Sequence, residues 1–117
     1  MKISYRDDDF SAIFDFSSEQ GVIISSYMAC GSFTDVYAKK ITLMGSNDGI
    51  KYTTIHEKKS DTNDILNKEY DVDNKIPFLY YKAKICEWNV KNFDKKNLKT
   101  PIFRLNRTKL AVRALGE

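Results

Sequence analysis

Apolar positions fall in seven short runs: Phe10 to Phe16, Val22 to Cys30, Ile41 to Met44, Tyr52 to Ile55, Glu69 to Val72, Phe78 to Trp88 and Ile102 to Val112. The runs are rich in β-branched and aromatic residues. Within them apolar positions recur at every second residue, as in Ala12/Phe14/Phe16, Ile41/Leu43 and Leu79/Tyr81/Ala83/Ile85. A period of two places one set of side chains on one face of an extended chain, so each run is predicted to be a strand with a buried and a wet face. Strands separated by turns at roughly ten-residue intervals predict an all-β fold, an antiparallel β-sandwich. Thr62 to Lys68 is the only helix-like piece, with Asp61 placed to cap one turn. Pro77 and Pro101 each precede an apolar run, where a missing N–H costs a strand least.

The stretch Ile41 to Ile55 is the sharpest local signal. Asn47, Asp48 and Gly49 tolerate positive φ, which a tight reversal between two strands requires, so a hairpin is predicted. Its Gly45-x-x-x-Gly49 frame has Asn47 at the centre and therefore no nucleophile elbow.

At 117 residues the chain is one domain, 1–117, with a core over about 9–116 and no repeat, low-complexity tract or linker. Its 42% hydrophobic and 30% charged residues match an ordinary globular balance. No apolar run is long enough to span a bilayer, and the charged start Met1 to Asp9 lacks the apolar segment of a signal peptide, so cytoplasmic synthesis is expected. Cys30 and Cys86 are too few for a disulfide scaffold and are expected to be buried free thiols. Residues 81–117 carry ten Lys/Arg against three Asp/Glu, or +7 of the net +3, leaving −4 for the first eighty. Such a basic third can serve a polyanion, but a solvated face is the commoner outcome, and nucleic acid is disfavoured. Lys outnumbers Arg fifteen to four, a bias typical of AT-rich genomes such as those of phages, large viruses or low-GC microbes.

Catalytic and metal chemistry find little purchase. Counting from Asp71, an EF-hand frame would put Ile76 where Gly is needed and Lys82 where Glu is needed. Asp7-Asp8-Asp9 reads as a solvated charge run. His56 has no Cys or His at ligand spacing and no Ser or Cys partner for nucleophilic work, so no metal, no cofactor and no catalysis are expected. Asn106-Arg107-Thr108 is a glycosylation sequon by letter.

Taken together, Ile41 to Ile55 resembles the central hairpin of discoidin domains, the coagulation factor 5/8 type C, galactose-binding-like family, in which a strand, Ser-Asn-Asp-Gly and a nearby aromatic recur. Tyr52 stands where that family usually has Trp. Asp9 to Phe16 resembles the preceding strand, Gly21 to Tyr27 the one after it, Phe78 to Ile85 a late strand, and Leu105 to Gly116 the closing one. The resemblance implies a jelly-roll antiparallel β-sandwich that binds sugars, lipid headgroups or protein partners rather than catalysing. The family's usual N-terminal strand and loop are lacking, since only eight residues precede the matching strand. An edge left unpaired in this way invites strand addition, so a homo-oligomer or a larger assembly is expected.

Strand parity then locates a binding end. If residues 22–29 run toward one end of the sandwich, loops 30–39, 56–66 and 88–100 all gather there, and the Asn47–Gly49 turn lies at the other. Aromatic platforms for a sugar ring would come from Trp88, Phe93, Tyr37 and Phe33, and hydrogen bonds to hydroxyls from Asn89, Asn92, Asp61 and His56. The expected function is a non-catalytic binding module for carbohydrate. Two alternatives stand beside it: an assembly protein, such as a virion or tail component, gripping neighbouring chains, and a polyanion binder using the basic C-terminal third.

Overall fold

The computed structural model describes residues 1–33, 36–62, 64–90 and 99–108. Eight strands follow in chain order: β1 (Lys2–Arg6), β2 (Ser11–Asp15), β3 (Ile24–Cys30), β4 (Ala38–Ser46), β5 (Thr53–Lys59), β6 (Tyr70–Asp71), β7 (Tyr80–Trp88) and β8 (Ile102–Arg107). They form two antiparallel sheets, one of five strands in the order β1-β2-β7-β4-β5 and one of three in the order β6-β3-β8. All seven predicted runs contain strands, and the described residues hold no α-helix.

The alternation seen in the sequence becomes the inner faces of the two sheets. Ala12, Phe14, Ile41, Leu43, Tyr81, Ala83 and Ile85 are buried on the five-stranded sheet, facing Ile24, Tyr27, Ala29 and Phe103 of the other. Burying each large apolar side chain contributes about 1.5–3 kcal/mol, and this two-layer core is what holds the sheets together. A register irregularity between Ile24 and Ser26 lets residues three apart, Ile24 and Tyr27, both reach the core.

The predicted hairpin joins β4 and β5. Asp48 Oδ1 accepts the N–H groups of Ile50 and Lys51, each at 2.8 Å, and Ser46 Oγ accepts that of Gly49 at 2.9 Å. These side chains satisfy backbone donors that the reversal takes out of the ladder.

Three expectations are corrected. First, Lys2–Arg6, predicted to hold no strand, pairs along its length with β2. Second, Thr62 to Lys68 forms no helical turn among its described residues: Asp64 Oδ1 accepts the Leu66 N–H at 3.1 Å, and Asn67 N–H goes to Ala29 C=O at 2.7 Å. That path sinks consecutive Ile65 and Leu66 into the core. Third, Cys30 is half-buried and Cys86 exposed, though both are free thiols. Ile85 takes the inward position of β7, so its neighbour must face out. β8 ends at Arg107 among the described residues, and positions 109–116 of the expected closing strand lie outside them.

Candidate functional site

The three loops expected at one end do meet there. Tyr37 N–H donates to Asn89 Oδ1 at 2.8 Å and Asn89 N–H to Tyr37 C=O at 2.9 Å, clamping the chain before β4 to the chain after β7. Ser60 N–H reaches Lys39 C=O at 2.9 Å, and Lys39 Nζ lies 3.7 Å from Asp61 Oδ1, which brings in the chain after β5. A fourth segment, absent from the sequence-based site, joins them: the turn between β1 and β2. Asp7 Oδ1 accepts the Thr100 N–H at 3.0 Å and hydroxyl at 2.6 Å, and Phe10 C=O accepts the Ile85 N–H at 3.0 Å.

At this end lies a groove of about 510 Å³, bounded by Trp88 and Asn89, by Phe10 with Asp8 and Asp9, and by Lys39, Lys84 and Glu87. Trp88 is half-buried and held by two edge-on rings, Phe10 at 5.2 Å and Phe33 at 5.3 Å between centroids. The contacts fix its indole at the end of β7, between core and groove. Phe10 keeps a φ of +53°, a left-handed conformation that costs a bulky residue about 1–2 kcal/mol and persists because its ring is buried against Trp88.

Charges of both signs surround the ring cluster. Burial pushes the Asp9 carboxyl up, but the Ser11 hydroxyl 2.5 Å away and the Lys82, Lys84 and Arg6 charges outweigh it, so it stays below the ordinary carboxylate range. Asp9 is therefore an ionised acceptor at neutral pH, with Lys82 Nζ 3.7 Å away. Donors and acceptors thus sit beside an aromatic surface, which suits a ligand carrying many hydroxyls and an apolar face.

Of the residues singled out from the sequence, Trp88 and Asn89 line the groove, Phe33 and Tyr37 support it from behind, and Asp61 is exposed beside Lys39. Asn92 and Phe93 lie outside the described residues. His56 does not join them. It lies within β5 rather than in a loop, at the level of Leu43, whereas Trp88 pairs with Ala38. Five residues along a strand separate the two levels by about 16 Å. The His56 ring packs between Tyr27 and Tyr70, with Nδ1 2.9 Å from the Tyr27 hydroxyl. Its inward turn comes from the register shift between Leu43 and Met44, which leaves Ile55 as an extra residue and reverses the parity expected for the strand. The missed residues were Asp8, Asp9 and Phe10, for which the acidic run ahead of an aromatic was the sequence signal, and the strand residues Lys39, Lys84 and Glu87. Among the described residues no group of three or more His, Cys, Asp or Glu side chains is placed to hold a metal ion, and no helix is long and apolar enough to cross a membrane.

The described residues thus define a two-sheet antiparallel β-sandwich with an aromatic-walled groove at one end. No protein-family model matches the sequence, and no curated protein matches it. Among solved structures the chain is similar to the C-terminal domain of a chitobiase from Bacteroides fragilis, with a TM-score of 0.52 and 18% identity, covering 84% of this chain and 62% of that one. The likeness shows the β-sandwich fold, and this chain spans less than two thirds of that neighbour's length.

Proposed function

We propose that the chain is a non-catalytic binding module that takes carbohydrate in the groove beside Trp88. The observation that carries this reading is the indole fixed edge-on by Phe10 and Phe33 at the wall of a groove that also presents Lys84, Glu87 and Asn89. An immobilised ring lets the apolar face of a sugar stack without an ordering cost, while the flanking groups exchange hydrogen bonds with its hydroxyls. The discoidin resemblance and the likeness to a chitobiase domain are both compatible with it. The reading assigns the groove no chemical step.

Screening the purified chain on a glycan array, then titrating the best sugar by calorimetry, tests the proposal. Saturable binding that is weakened by about 1–3 kcal/mol in Trp88→Ala and also weakened in the exposed Glu87→Gln, with both variants folded, supports it. A folded parent chain that binds no glycan sinks it. In the described part of the basic third Lys82 is paired with Asp9 and Arg107 with Glu19, which partly neutralises the surface that the polyanion alternative needs.

A further inference from the structure

Among the described residues one flank of the sandwich is open. β1 is an edge of the five-stranded sheet and β8 an edge of the three-stranded one. Among the described residues the two edges are tied together at their ends. At one end Asp7, next after β1, accepts the Thr100 N–H at 3.0 Å and hydroxyl at 2.6 Å; at the other Glu19 pairs with Arg107 at 2.7 Å and lies 3.9 Å from the Met1 amine. Between them runs a cleft of about 370 Å³, walled by Ile3 and Phe14 on one side and by Phe103 and Leu105 on the other.

β1 is exposed along its whole length. Ile3 and Tyr5 stand opposite the buried Phe14 and Ala12, so they lie on the core-facing side, yet they remain 42% and 44% exposed. The other side of β1 presents Lys2, Ser4 and Arg6. Arg6 has an exposed carboxylate, Asp8, at 3.4 Å. The result is an unpaired strand edge, among the described residues, that is apolar inward and cationic outward.

We propose that the outer edge of β1 is a docking site for one extended segment of another protein, about as long as β1, with carboxylates at alternate positions and apolar residues between them. Added antiparallel to β1, its backbone would continue the five-stranded sheet. Its apolar side chains would cover Ile3, Tyr5 and the cleft, while its carboxylates would lie beside Lys2 and Arg6. A second copy of this chain is disfavoured by the same charges: pairing β1 with β1 antiparallel sets Lys2 and Arg6 against their like-charged counterparts. Lysine on an edge is a known guard against such self-pairing. Opposite charge converts that guard into selectivity.

The test is fluorescence anisotropy of the whole chain with three labelled peptides: Asp-Val-Asp-Ile-Asp-Val-Asp, its counterpart with Lys for every Asp, and the acidic peptide N-methylated at alternate amides. The expected result is saturable binding of the first, at least about tenfold tighter than of the other two, and reversal of the charge preference in the Lys2→Glu/Arg6→Glu variant. Both substituted residues are exposed, so an unchanged unfolding curve should confirm that the variant folds. Absence of saturable binding by the acidic peptide would overturn the proposal. So would equal binding of the N-methylated peptide, since a merely electrostatic contact does not need backbone hydrogen bonds. Concentration-dependent dimerisation through β1, or slow amide exchange along its outer edge in the free chain, would also overturn it by showing the edge already covered.

Discussion

Replacing Gly45 with Ala should destabilise the domain although the change adds one methyl group. Gly45 lies in β4 opposite Tyr81, on the side where the Phe78 ring crosses the strand. A Cβ built there would lie 2.6 Å from Phe78 Cγ and 2.7 Å from Cε2, with Cδ2 nearer still. Ordinary van der Waals contact begins near 3.4 Å, so the ring must retreat by about an ångström. It has little room to do so. Phe78 packs edge-on against Tyr81 at 5.7 Å, the Tyr81 hydroxyl donates to Val22 C=O at 2.6 Å, and Phe78 C=O accepts the Val22 N–H at 3.2 Å. Overpacking of this kind costs about 1–3 kcal/mol, which for a domain of this size lowers Tm by about 4–12 °C. Urea and thermal unfolding of Gly45→Ala, Phe78→Ala and the double variant measure it. The cost of Gly45→Ala should largely vanish once Phe78 is truncated, giving strong non-additivity. A neutral Gly45→Ala, or the same cost in both backgrounds, would refute the argument from steric overlap.

Further outcomes follow from other parts of the molecule. Trp88→Ala should weaken binding of the best array ligand by about 1–3 kcal/mol, whereas Asn47→Ala at the opposite turn should leave affinity unchanged; calorimetry on both variants decides. His56 is held below its ordinary pKa of 6.5 by burial and then by the Lys58 charge, so the unfolded chain takes up its proton first. Stability should therefore fall as pH drops from about 6.5 and level off once folded His56 is protonated, and His56→Gln should flatten that part of the urea-midpoint profile between pH 5 and 7. Tyr27→Phe removes the hydroxyl 2.9 Å from His56 Nδ1 and should cost about 1 kcal/mol by the same measurement. Cys86 should react with a thiol reagent in the native state well before the half-buried Cys30, read as two resolved kinetic phases.

The sequence by itself determined where the strands lie, because alternation is a local property and burial acts on it residue by residue. Ala12/Phe14, Ile41/Leu43 and Tyr81/Ala83/Ile85 announced inner faces that the two sheets use. Asn47, Asp48 and Gly49 announced the hairpin through backbone preference alone, and counting reversals from it brought loops 30–39, 56–66 and 88–100 to one end. Tertiary structure decided the rest. β1 carries the same alternation, Ile3 and Tyr5 between Lys2, Ser4 and Arg6, but the segment is short and exposed even on its apolar face, and only pairing with β2 makes it a strand. His56 turned inward through an extra residue in β5, a bulge that no alternation records. Asp8 and Asp9 entered the groove wall only because β1 folds back on β2, and Trp88 became a fixed wall rather than a free ring only because Phe10 and Phe33, far apart in the chain, meet on either side of it. Periodicity specifies which face of a strand is apolar; which strand lies beside it, and what stands across the gap, depends on contacts between residues that the sequence keeps far apart.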